Sequence, residues 1–149
     1  MSRSVPCILT NMCMISNGSK VLVQDKVGGW SGITFPGGHV EQGESFAASI
    51  IREVFEETGL VIESPRLKGI KSWTESSGER YIVLLYTADK FSGELKSSDE
   101  GEVYWIERSE LSKMKMAHGF EPMLSVFENP DISEMYWAPD ADYNAYELL

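Results

Sequence analysis

Between Ser45 and Gly59 the chain carries a residue pattern suited to an α-helix. Phe46, Ala47, Ile50, Ile51, Val54 and Phe55 recur at three- and four-residue steps and make one apolar face. Ser45 is a strong N-cap, and Glu44 stands near the positive end of the helix dipole. Gly59 stands where a left-handed glycine ends a helix. The opposite face holds Ser49, Arg52, Glu53, Glu56 and Glu57. The three glutamates fall within an arc of about 100°. Like charges at this spacing repel and cost an isolated helix a few tenths of a kcal/mol per pair. A divalent cation reverses the sign, because hard cations take carboxylate oxygens together with substrate phosphates. Taken alone, the face also fits an ordinary solvated acidic surface.

The flanks weigh against that plainer reading. Phe35-Pro36-Gly37-Gly38 delivers a strand end and a glycine turn just before the helix, where backbone can approach a ligand closely. Glu41 and Glu44 add two carboxylates, and Arg52 can reach back to one of them. From Gly38 the order is five residues, Glu44, seven residues, Arg52-Glu53-Val54, one residue, Glu56-Glu57, one residue, Gly59-Leu60. This run resembles the complete Nudix box of the MutT/Nudix pyrophosphohydrolases. Seven positions in it demand one residue type and two demand an aliphatic, so a chance match is on the order of one in a billion.

The resemblance implies an α/β fold: an α/β/α sandwich on a mixed β-sheet, with the box as loop-helix-loop. It implies hydrolysis of a nucleoside diphosphate linked to another group, with Mg²⁺ or Mn²⁺ as cofactor. Position by position, it makes Glu53, Glu56 and Glu57 the metal-ligand candidates, joined by the carbonyl of Gly37 or Gly38. Glu44 and Arg52 match the positions that pair and orient the site. In the triphosphatase branch a glutamate outside the box often contributes; Glu100 matches its place best, with Glu102 as the alternative. The ADP-ribose branch usually carries a proline about fifteen residues past the box, and the diadenosine-polyphosphate branch a tyrosine slightly later. Trp73 to Glu79 holds neither. The nucleoside-triphosphate branch remains, with oxidised dGTP as the expected substrate and the monophosphate and pyrophosphate as products. Trp30, Phe35, Tyr81, His118 and Phe120 are the base-stacking candidates, and His39 stands where a phosphate can be met. Two further readings stay open. One is an enzyme for ADP-ribose, a nucleotide sugar or a dinucleoside polyphosphate. The other is a non-catalytic Nudix module binding a nucleotide or a protein, although no box glutamate is missing.

The rest of the chain frames this unit. Val5 to Ile15 and Lys20 to Gln24 read as a hairpin about Asn17-Gly18. Ile33 to Phe35 is a short strand, Arg66–Glu75 and Arg80–Ala88 form a second hairpin about Ser77-Gly78, Glu102–Ile106 is a strand, and Phe120–Phe127 is a helix. That order places helices on both faces of a mixed sheet. At 149 residues one domain is expected, with 128–149 an acidic, aromatic tail of unassigned role. A net charge of -10 disfavours sequence-independent nucleic-acid binding. A small nucleotide partner is expected, with no nucleic acid or membrane, and a homodimer is open. Cys7 and Cys13 are the only cysteines and would share a strand face, so no mutual disulfide is expected. With no signal-peptide layout at the start, these point to the cytoplasm.

Overall fold

The computed structural model describes residues 2–28 and 31–149. In chain order the elements are β1 (Cys7–Asn17), β2 (Lys20–Lys26), β3 (Gly32–Thr34), α1 (Phe46–Thr58), β4 (Leu60–Glu63), β5 (Arg66–Thr74), β6 (Arg80–Ala88), β7 (Lys90–Gly93), β8 (Gly101–Glu107), a 3₁₀ turn (Arg108–Lys113), α2 (Phe120–Glu128), β9 (Glu134–Tyr136) and β10 (Glu147–Leu148). The main sheet runs β10-β9-β5-β6-β1-β2-β3, with β8 also paired to β2; β4 and β7 make a separate two-stranded sheet. No helix among the described residues is long and apolar enough to cross a membrane.

Alternation along the strands builds two cores, one on each face. Cys13, Ile15, Leu22, Leu84 and Tyr86 pack with Ile50 and Val54 of α1. Met14, Val21, Val83 and Leu85 pack with Phe120, Met123 and Phe127 of α2. The expected α/β/α arrangement is therefore present. The second hairpin also forms, with Trp73 opposite Tyr81 and Gly78 at φ 91° in its turn.

The first hairpin is narrower than its sequence suggests. β1 meets β2 only through Ser16↔Val21 and Asn17↔Lys20, while residues 7–15 pair in parallel with β6. The other edge of β1 is taken by the Pro36–Val40 loop: Cys13 N–H donates to the Pro36 carbonyl, Asn11 N–H to Gly38, and Val40 N–H to Leu9. The loop before the helix is thus held as a short extra strand. A Cβ on Gly37 would overlap the Asn11 carbonyl, so only glycine allows this approach.

The tail takes a definite place. β9 pairs in parallel with β5, and β10 returns antiparallel to β9, extending the sheet at that edge. Cys7 is exposed, Cys13 is buried, and both are free.

Candidate active site

α1 begins at Ser45, whose side chain accepts from the Ala48 N–H, and ends at Gly59 with φ 77°. Its buried arc is rotated from the one that hydrophobicity predicts. Phe46 and Phe55 are 43% and 54% exposed, whereas Ser49 and Glu57 are buried beside Ile50 and Val54. Polar partners across the interface cause the rotation. Asn11 Nδ2 donates to Ser49 Oγ at 2.9 Å, the Gly37 N–H donates to Glu57 Oε2 at 2.9 Å, and Gln24 Nε2 donates to the same oxygen at 3.3 Å.

Arg52 organises the outer carboxylates. Its Nε donates to Glu44 at 2.7 Å, and its Nη1 to Glu53 at 3.0 Å and Glu56 at 3.1 Å. Its Nη2 reaches the His39 carbonyl at 3.0 Å, which ties the helix to the glycine loop. The Arg52 guanidinium, with the Glu41 N–H, holds the Glu44 carboxyl down at about 2, well below its usual range. Glu57 moves the other way. Burial pushes its carboxyl up to about 7 against the Gly37 hydrogen bond, and the charge of Glu53 adds to the rise.

A cleft of about 560 Å³ opens over this face. Its acidic end is lined by Glu53, Glu57, Glu100 and Gln24, with Gly37 and Gly38 beside them. Glu56 does not line it and is 55% exposed at the side chain, one step further round the helix. Glu100 reaches the cleft; Glu102 does not line it and stands opposite Asp25 in the β2–β8 ladder. Of the two glycine carbonyls, that of Gly38 accepts the Asn11 N–H, and no described backbone N–H donates to that of Gly37.

Among the described residues no three His, Cys, Asp or Glu side chains converge closely enough to hold an ion. Glu44, Glu53 and Glu56 instead share the Arg52 guanidinium, while Glu57 turns to the Gly37 N–H and the Gln24 amide. The donor set is still all oxygen: the Glu53 and Glu57 carboxylates and the Gly37 carbonyl at one end of the cleft. That chemistry fits a hard divalent cation such as Mg²⁺ or Mn²⁺.

The aromatic candidates divide. Trp30 lies outside the described residues. Phe35 and Phe120 are 2% and 1% exposed and pack edge-on at 4.7 Å in the α2 core. They form the cleft floor rather than a free stacking surface. Tyr81 lines the cleft but is already stacked on Trp73. His118 lines it too, stacked on Tyr143, and His39 is exposed at its rim. Asn11, Gln24, Ser49 and Lys71 were not singled out by sequence reasoning. Asn11 had one visible signal, a carboxamide inside a largely apolar strand; Gln24, followed by Asp25 and Lys26, had none.

Residues 7–127 match the NUDIX domain. An uncharacterised Nudix hydrolase, YvcI, of Bacillus subtilis is 33% identical over 72% of this chain and 70% of its own length. An ADP-ribose pyrophosphatase of Methanocaldococcus jannaschii is 27% identical over 76% of this chain and 69% of its own. An oxidized purine nucleoside triphosphate hydrolase of Danio rerio is 28% identical over 73% of this chain and 71% of its own. Among solved structures, a MutT mutator protein from Bacillus halodurans superposes with a TM-score of 0.75 at 28% identity, covering 95% of this chain and 97% of that one.

Proposed function

The chain belongs to the Nudix hydrolase family, and we propose that it cleaves a nucleoside triphosphate, an oxidised purine dNTP such as 8-oxo-dGTP, to the monophosphate and pyrophosphate. The observation that carries this reading is the cleft that joins the Glu53/Glu57/Gly37 end to an aromatic end at Trp73 and Tyr81. One end suits phosphates and the other a planar base.

Glu53, Glu57 and the Gly37 carbonyl would hold Mg²⁺ or Mn²⁺, with Glu56 at their flank. The bound ion supplies neutralisation of the phosphate oxygens and a more acidic water. Arg52 keeps Glu53 and Glu56 oriented and is itself fixed by Glu44. Glu100, lining the same cleft, is the group that takes the proton from the attacking water. Water attacks an internal phosphorus, the anhydride P–O bond breaks, and pyrophosphate leaves with the bridging oxygen.

The relative named as an ADP-ribose pyrophosphatase supports a second reading, hydrolysis of ADP-ribose to two monophosphates. A panel of nucleotides with Mg²⁺, with the nucleotide products resolved by chromatography and pyrophosphate assayed against phosphate, separates the two. Pyrophosphate from oxidised dGTP is the expected result. Inorganic phosphate as the primary product, or a tenfold higher kcat/KM on ADP-ribose or a dinucleoside polyphosphate, would replace the triphosphate reading. Nucleotide binding without turnover of any compound would make the chain a non-catalytic module.

A further inference from the structure

At the aromatic end of the cleft, Trp73 and Tyr81 face each other across β5 and β6 and stack at 4.4 Å with 9° between their planes. Lys71 stands two residues before Trp73, on the same face of the strand, and lines the same cleft. Its Nζ lies 5.5 Å from the Trp73 ring and 5.4 Å from that of Trp137. Trp137 comes from the tail. Its indole N–H donates to the Tyr143 carbonyl at 3.1 Å, and the Tyr143 ring stacks on His118 at 3.5 Å. The tail therefore builds the wall behind Lys71.

Among the described residues no carboxylate forms an ion pair with Lys71 and no acceptor takes its hydrogens. Burial pulls its ammonium down to about 8. In a chain of net charge -10, an unpaired cation facing a cleft fits a site whose acceptor arrives with the ligand.

We propose that Lys71 is a specificity-determining residue that donates to the O6 carbonyl of a 6-oxopurine lying along the Trp73–Tyr81 stack, an acceptor that guanine, hypoxanthine and 8-oxoguanine share. The inference rests on the nucleotide hydrolase reading and names its base. An indole-walled site suits a flat ring, and an ammonium suits a neutral carbonyl acceptor on that ring's edge. Adenine presents N7 but places an amino donor at position 6, where it would oppose the ammonium. A site that hydrogen-bonds one edge rejects the analogue that lacks it.

The test measures kcat/KM for dGTP, dITP and dATP in the wild type, Lys71→Met and Lys71→Arg, with thermal melts to confirm folding. Wild type should favour dGTP and dITP over dATP by tenfold or more; Lys71→Met should bring that ratio near one, and Lys71→Arg should keep most of it. Calorimetric titration of the wild type with dGMP and dAMP, without metal, should show the same order and does not depend on any variant folding. Equal binding of the two monophosphates, or an unchanged ratio in a folded Lys71→Met, overturns the assignment while leaving the hydrolase reading in place. Wild type inert toward every nucleotide overturns both.

Discussion

Glu57 is only 5% exposed, yet its sole hydrogen-bond donors among the described residues are neutral, the Gly37 N–H and the Gln24 amide. Its carboxyl is therefore raised to about 7, chiefly by burial. In metal-free protein the sign is definite. Between about 4.5 and 7 the folded state binds more protons than the unfolded state, so stability falls as pH rises through that window. Urea midpoints in EDTA, taken from pH 5 to pH 8, should decline, and Glu57→Gln should flatten the slope. The same substitution should lower kcat by roughly two to four powers of ten, because a metal ligand supplies several kcal/mol in the transition state. Near wild-type kcat in Glu57→Gln at saturating Mg²⁺ would remove this residue from the metal set. Arg52 acts differently: it touches three box carboxylates and the His39 carbonyl at once. Arg52→Met should weaken Mg²⁺ binding by calorimetry, since Glu53 and Glu56 lose the donor that orients them. A melting loss with unchanged Mg²⁺ affinity would make Arg52 a purely structural tie.

At the scale of elements, the site depends on how α1 and the glycine loop are fastened to β1. Asn11 makes the fastening: its Oδ1 accepts the Gly38 N–H at 2.9 Å while its Nδ2 donates to Ser49. Asn11→Ala would leave the part-buried Gly38 N–H without its partner and reduce the buried Ser49 hydroxyl to its contact with the His39 carbonyl, at a cost of about 1–3 kcal/mol. A fall in the urea midpoint together with a fall in kcat is the expected outcome. A change in neither would mean that the backbone pairing alone positions the loop. Gly38→Ala should separate the two quantities. A Cβ there would overlap the Glu53 carboxylate, a side chain that can turn aside. Activity should therefore drop by far more than thermal stability, and equal losses would point to backbone disruption instead. Helix α1 was legible from its caps and its apolar rhythm. Its rotation was not, because hydrophobic periodicity assigns Phe46 and Phe55 inward and Glu57 outward. Hydrogen-bond partners on three other segments reverse that assignment.

For the whole molecule, several carboxylates gathered on one side of a chain of net charge -10 oppose folding until a cation joins them. Millimolar Mg²⁺ or Mn²⁺ should raise the melting temperature relative to EDTA, by about 2.7 kcal/mol of stability at a hundredfold excess over Kd. Superimposable melts, with no heat of binding by calorimetry, would count against a working metal site. The sequence by itself determined the family, the box helix with its caps, the two-faced sheet and the carboxylates that line one helix face. Each of these follows from short-range rules: helical spacing, capping, strand alternation and a motif spanning Gly38 to Leu60. Only the tertiary structure decided which carboxylates enter the cleft, that Glu100 lines it where Glu102 does not, and that Phe35 and Phe120 floor it. Only the tertiary structure brought the tail round to place Trp137 behind Lys71. Those outcomes turn on pairings distant in sequence, β1 with β6 and β5 with β9, whose register no local pattern encodes.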